Sequence, residues 1–434
     1  MTPTVGFAGM THLGICSSVA VAARGFPTVC FDADPGLIAD LRNGRPPVIE
    51  PDLPEMLAGN RESLRFTSEA GDLASCDIVY ISADVPTDEA GESDLTAIDA
   101  LIADVIRHLS PKAILVVLCQ VPPGFVRALP MPGERLFYQV ETLIFGRAIE
   151  RATTPERFIV GCAEAGRPLP AAYLTLLEAF GCPILSMRYE SAELTKIAIN
   201  CFLVASVSAT NSLAEICEHI GADWSEMVPA LRLDKRIGKH AYLSPGLGIA
   251  GGNLERDLAT VRRLAQENAT DGGVVAAWVE NSRHRRDWVA RILARELPAA
   301  DRASVVAILG LAYKANTHSI KNSPAVALVN DLRGRRVRVF DPVVSAAVVP
   351  GAEPAQSAID AMNGADALAL MTPWQEFQDI EIPQIARAMK GRLVIDPYGV
   401  LDGAVVAKCG LDYFSLGVPP RRAGDQEDPA NRKI

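Results

Sequence analysis

The sequence predicts an α/β protein: two Rossmann-like domains, each a doubly wound parallel sheet, joined by a long helix and a helical middle domain. Three observations predict it. Residues 4–34 read as strand, glycine turn, helix and a second strand ending in acid, the opening of a dinucleotide-binding βαβ unit. A second α/β run starts at SVVAILGLAYK (304–314). Between the two, residues 190–221 keep helical character without a proline and would span roughly 45 Å as one helix.

In the first unit, TVGFAG (4–9) is a short apolar run stopped by glycine, ICSSVAVAARG is helical in character, and TVCFDAD (28–34) is the next strand. DIVYIS (77–82), AILVVLC (113–119) and RFIVGC (157–162) read as further strands. Their unbroken apolar runs suit a mostly parallel sheet covered on both faces. Helical sequence follows the long helix at 254–267 and 273–296, and the second sheet continues through RVRVFDP (336–342), ADALALMT (365–372) and RLVIDP (392–397). The polar tail 421–434 is expected to be mobile.

Length and composition bound the function. A chain of 434 residues holds about three domains at about 150 residues each. A formal charge of −10 argues against a sequence-independent grip on nucleic acid, which needs a basic face. No run of about 18 uninterrupted apolar residues is present, so no membrane span is expected. The N-terminus enters directly into a strand-like run and lacks the pattern of a signal peptide. Nine scattered cysteines without a CxxC pair point to reduced thiols in a cytoplasmic protein and to no metal site.

The turn Gly9-Met10-Thr11-His12-Leu13-Gly14 fits a G-x-G-x-x-G fingerprint with threonine in the second glycine's place. Asp32 stands eighteen residues after Gly14 at the end of the next strand, where its carboxylate can accept from ribose hydroxyls and favour NAD over NADP. His12, alone in this turn, reads as a structural donor to phosphate rather than a catalyst. An ordinary strand–turn–helix is the other reading of the same residues.

The chain also resembles the UDP-glucose/GDP-mannose dehydrogenase family from residue 4 to about 417. The landmarks run in family order: the fingerprint, FDADPGLIADLRNGRPPVIEPDLPEML, VPTDEAGESDL (85–95), QVPPGF (120–125), VETLIFGRAIE (140–150), PERFIVG (155–161), ESAELTKIAINCFL (190–203), LDKRIGKHAYLSPGLGIAGG (233–252), GLAYKANTHSIKNSPA (310–325) and FDPVV (340–344). The resemblance implies an NAD domain over 1–188, a helical, dimer-forming middle over 189–300 and a nucleotide-sugar domain over 301–420. It implies two successive hydride transfers that turn a primary alcohol into a carboxylate, the second through a cysteine thiolate. Cofactor contacts are implied for Gly9, Thr11, His12, Leu13, Gly14, Asp32, Val85, Pro86, Thr87 and Gln120.

Departures from the family pattern gather in the later half of that reaction. GLGIAGGNLERD (246–257) puts Asn253 in the cysteine's place, and a carboxamide is no nucleophile at neutral pH. Gln120 stands for a threonine that helps hold water, and Phe145 for a second glutamate implicated in acid–base work and thioester cleavage. The segment between Gly124 and Glu141 reads as shorter than the family's, with a helix missing. What survives belongs to the first half. Lys196 and Asn200, four apart on the long helix, match the family's lysine and asparagine. Lysine can stabilise a developing alkoxide, Asp257 can take the hydroxyl proton, and Glu141 positions substrate or water.

For the substrate, Pro245, Gly246 and Gly248 form a loop whose amides can meet a diphosphate. Lys314 can reach phosphate, Lys321 replaces an arginine and keeps its charge, and Arg236 matches an arginine that contacts the sugar. His318, Ser319 and Asn322 replace acidic residues, and Asp396-Pro397-Tyr398-Gly399 replaces a stretch that carries an arginine, which leaves base and sugar open. Three functions fit: a nucleotide-sugar dehydrogenase that stops after one oxidation, giving a ketone or aldehyde; a redox-neutral epimerase that retains NAD; and a non-catalytic nucleotide-sugar-binding paralogue.

Overall fold

The computed structural model describes residues 2–86, 88, 93–297 and 303–425. It divides into two compact units, Met1–Ile199 and Asn200–Ile434.

The first unit is built on eight strands: β1 (Val5–Ala8), β2 (Thr28–Phe31), β3 (Leu64–Thr67), β4 (Ile78–Ile81), β5 (Ile114–Val117), β6 (Leu136–Gln139), β7 (Phe158–Cys162) and β8 (Ile184–Arg188). They lie in the order β3-β2-β1-β4-β5-β6-β7-β8. All neighbours are parallel except β6 and β7, which pair antiparallel through Tyr138 with Gly161 and Gln139 with Val160. Every residue of β1, β2, β4 and β5 is buried, because helices cover both faces. Phe7, Ile15, Val19 and Tyr173 pack on one face; Val29, Ile102, Leu115 and Tyr138 pack on the other. The order reverses between β1 and β4, and at such a switch point the carboxyl ends of the strands open a ligand crevice.

One helix runs from Tyr189 to Ile220, within a residue of the expected 190–221. It is the one described helix long and apolar enough to cross a membrane by length and composition, with a mean hydropathy of 1.5 over its most apolar window. Within it Glu193 is fully buried and accepts the N–H groups of Gly124 (2.6 Å) and Val126 (2.9 Å). Between Gly124 and Glu141 the chain makes only a short turn of 3-10 helix, Val126–Ala128, before β6.

The second unit holds the later helices and a sheet of six parallel strands. These are β9 (Val305–Leu309), β10 (Arg336–Phe340), β11 (Glu353–Pro354), β12 (Ala367–Leu370), β13 (Leu393–Ile395) and β14 (Asp412–Phe414), in the order β11-β10-β9-β12-β13-β14. The stretch expected as one helix over 273–296 breaks at Asp287 into Gly273–Arg286 and Trp288–Glu296. Arg285, with no exposed surface, is tied beside the break to Glu215 (3.2 Å) and Glu218 (2.8 Å).

The expected mobile tail needs correction at its start. Arg421 exchanges backbone hydrogen bonds with Tyr413 (2.7 and 2.9 Å), and Arg422 pairs with Glu296 at 2.8 Å. Residues 426–434 lie outside the described residues.

Candidate active site

In the first unit the glycine turn has the geometry a dinucleotide needs. Gly9 sits at φ +96°, and a side chain there would also strike Ala83 at 2.8 Å. A Cβ on Gly14 would lie 2.0 Å from the Gly9 carbonyl oxygen. Thr11 replaces the middle glycine without strain, because φ −80° and ψ −175° suit any residue; its hydroxyl donates to the Ser82 carbonyl at 3.0 Å. Asp32 accepts the N–H of Met10 (2.8 Å) and of Asp34 (3.0 Å), which fixes its carboxylate beside the turn. The cradle that Cβ atoms would fill and the acid at the end of β2 fit NAD. Gly9, Thr11, Gly14 and Asp32 would hold it.

Two turn residues take other roles. Leu13 is buried in the core on the helix side of the sheet, so only its backbone is left for a ligand. The His12 ring is engaged by a carboxylate and an aromatic ring. His12 Nε2 lies 2.7 Å from Glu50 Oε1, and the Phe145 ring stacks on the imidazole at 4.1 Å between centroids. Val85 and Gln120 are half-buried and Pro86 is exposed, whereas Thr87 lies outside the described residues.

Lys196 and Glu141 come together. Lys196 Nζ lies 3.3 Å from Glu141 Oε2 with both side chains mostly buried, and the other carboxylate oxygen accepts the Leu143 N–H. An ammonium so held is available to oppose negative charge that develops on a substrate oxygen.

In the second unit Asn200 Nδ2 donates to Asp257 Oδ2 at 2.5 Å. Asp257 is buried, and its other oxygen lies 3.6 Å from Arg256 Nε. Asn253 is exposed as the first residue of the helix Asn253–Glu267. The loop before it is zipped to the segment carrying Lys321: Gly251 N–H donates to the Lys321 carbonyl, and Asn322 Nδ2 donates to the Gly251 carbonyl, both at 3.0 Å. Tyr313 packs against Gly251, where a Cβ would sit 3.3 Å from its ring. The loop of Asn253 and the segment of Lys314 and Lys321 are thus one piece of structure. Lys314 is half-buried, its ammonium 5.6 Å from the Tyr313 ring centre; Lys321 is exposed.

Other substrate expectations shift. The amide of Gly246, which follows Pro245, is held by Asn211 Oδ1 at 2.9 Å and that of Ile249 by Ser282 Oγ at 2.7 Å. Gly248, at φ +75°, leaves no room for a Cβ, which would lie 2.3 Å from the Ser282 carbonyl. Those contacts engage the Gly246 amide in building the loop. Arg236 is exposed and bound to Asp234 at 2.6 Å. Asp396 is fully buried and accepts from Leu401 N–H (2.8 Å) and Tyr413 OH (2.9 Å); it braces its own turn. His318 and Asn322 are exposed.

Three carboxylates escaped the sequence reading. Glu193 accepts from the Gly124 and Val126 amides. Glu50 accepts from His12 and from the N–H groups of Gly146 (2.8 Å) and Ala148 (3.1 Å). Asp341 accepts from Leu311, Ala312, Val343 and Val344 amides and from Trp374 Nε1, at 2.6–3.2 Å. The last makes the second sheet echo the first: Gly310, at φ +95° against Thr372, and Asp341 repeat the places of Gly9 and Asp32.

Comparison with known proteins follows this division. Residues 3–167 match the NAD binding domain of the UDP-glucose/GDP-mannose dehydrogenase family, residues 190–283 its central domain and residues 307–403 its UDP binding domain. The chain is 28% identical to the UDP-glucose 6-dehydrogenase TuaD of Bacillus subtilis over 97% of its own length and 94% of that protein. It is 30% identical to the putative UDP-glucose 6-dehydrogenase YtcA of the same organism, over 95% and 99%. Its fold is similar to a UDP-glucose dehydrogenase structure from Pyrobaculum islandicum, with a TM-score of 0.81, 26% identity and 92% and 95% of the two chains covered.

Proposed function

From the premise that the chain belongs to the UDP-glucose/GDP-mannose dehydrogenase family of NAD-dependent nucleotide-sugar dehydrogenases, we propose that it performs one two-electron oxidation of a nucleotide-diphosphate sugar and stops at a carbonyl. The observation that carries this reading is Asn253. At the start of its helix, where the family pattern has cysteine, stands an exposed carboxamide that cannot trap an aldehyde covalently. Of the nine free thiols, six are buried and three half-buried. Burial pushes up eight of them, which leaves less of the nucleophilic thiolate. Cys201 in particular is raised by burial and then by the Asp257 carboxylate.

NAD, when bound, supplies the hydride acceptor. The chain does the rest. Asp257, oriented by Asn200, takes the hydroxyl proton; Lys196, oriented by Glu141, opposes the alkoxide charge; Lys314 and Lys321 bind phosphate. A secondary alcohol suits this equipment, because a ketone carries no hydrogen for a second transfer. We also propose a homodimer. Phe202, Leu213, Ile216 and Ile220 leave an exposed apolar series on the second unit's share of the long helix, the kind of surface that marks an interface.

The experiment is a mass-spectrometric screen of nucleotide sugars with NAD. One NADH per product and a mass loss of two hydrogens are expected; two NADH and an acid product would overturn the reading.

A further inference from the structure

In the first unit, three separated segments meet on one buried carboxylate. Glu50, whose side chain has no exposed surface, accepts from the His12 ring at the end of the glycine turn and from the Gly146 and Ala148 amides in the loop that begins at Glu141. Phe145, from that same loop, stacks on the His12 ring, 4.1 Å between ring centres and 23° from coplanar, with about half its surface exposed. A buried carboxylate costs free energy unless its oxygens are bonded, so Glu50 is stable here only while turn and loop both stay in place.

We infer that Glu50 is a positioning residue which, through His12 and Phe145, joins the NAD turn to the Glu141 loop, so that cofactor binding orders the loop whose first residue holds Lys196. The bonds act on opposite ends of the loop. Glu141 ties its start through the Leu143 amide, and Glu50 ties its end. Restraining the His12 turn therefore restrains residues 141–148 through these links. The inference rests on reading the His12 turn as the NAD site, and it is independent of whether the product is a carbonyl or an acid.

Hydrogen exchange of the full chain with and without NAD tests it, with isothermal titration reporting NAD affinity. Slower exchange is expected in residues 9–14 and in residues 141–148 of the unaltered protein. Glu50→Ala should abolish the second protection, and Phe145→Ala, at a half-exposed position, should weaken it several-fold. His12→Gln, which keeps a donor for Glu50, should restore more of it than His12→Phe. Protection of residues 9–14 with no change in 141–148 would overturn the inference, as would loop protection that persists in Phe145→Ala and His12→Phe. Absence of NAD binding altogether would instead remove the cofactor reading on which it rests.

Discussion

Asn200 and Asp257, fifty-seven residues apart, share a 2.5 Å hydrogen bond in which the carboxamide donates to a buried carboxylate. The bond keeps Asp257 in one orientation and leaves its second oxygen beside Arg256. A base that must accept a proton from a bound hydroxyl needs that fixed direction.

Replacing the donor tests this arrangement. Hydrogen bonds to a charged group contribute about 1.5–3 kcal/mol, so Asn200→Ala should lower kcat/KM by about ten- to a hundred-fold. Asn200→Asp sets a second carboxylate against Asp257, and like charges raise the pKa of one of them. The base would then stay protonated to higher pH, and the acid limb of the kcat/KM profile should move to higher pH. Initial rates of NADH formation across pH measure both.

The glycine turn gives a contrast between two neighbouring positions. Gly14→Ala puts a Cβ 2.0 Å from a backbone oxygen, and neither partner is a flexible side-chain end. The backbone has to shift, at about 1–3 kcal/mol or more, and NAD binding by titration calorimetry should be lost. Thr11→Gly removes the hydroxyl bond to Ser82 and the side-chain methyl, and frees the backbone of the unfolded chain. Its cost should be about 1 kcal/mol in a urea melt, with NAD affinity retained.

How much of this was legible in the sequence follows from where each residue finds its partners. Strands such as IVYI and ILVV announce themselves because both faces are covered and every position is apolar. LRFT, ILSMR, EP and DYF hold edge positions in their sheets, where charge and polarity are allowed, and they carry no such signal. In the site, Gly9, Gly14 and Asp32 were readable because their partners lie within one βαβ unit. The role of Glu50 was not, since it is satisfied by backbone amides ninety-six and ninety-eight residues away, and amides leave no mark in a side-chain pattern. The His12–Glu50 link was hidden for the same reason: the partner lies outside the turn. The only local hint was that Glu50 begins EPDL, which resembles the family's E-P-x-L motif.

Asp396 makes a prediction about stability. Burial pushes its carboxyl above the usual value, against bonds from Leu401, Tyr413 and Tyr398 that lower it. A carboxyl whose folded pKa is raised binds its proton more tightly in the folded state. Its contribution is therefore fully present below the unfolded pKa and is lost as pH rises through the folded one. Relative to Asp396→Asn, which does not titrate, the unaltered protein should gain stability as pH is lowered toward the ordinary carboxylate range. The slope should reach at most about 1.4 kcal/mol per pH unit. Urea melts of both proteins at several pH values give it directly.

Asn253→Cys asks whether the position itself would support a thiolate. Residue 253 is exposed and opens a fifteen-residue helix. At a helix N-terminus the unpaired amides and the helix dipole lower a thiol pKa, in some proteins to about 3.5–7.5. Asp257 and Glu255 lie in the same helix and act the other way, through carboxylate charge. The amides act at the first residue itself, and Asp257 has part of its charge satisfied by Asn200 and Arg256, so the lowering should prevail. Among the native thiols, Cys16, Cys30 and Cys76 are pushed up to about 12. The variant should therefore show one additional thiol that reacts quickly with a disulfide reagent near neutral pH, located at residue 253 by peptide mass. If the new thiol reacts no faster than the native ones, the helix start does not activate sulfur, and restoring cysteine there would not restore covalent chemistry.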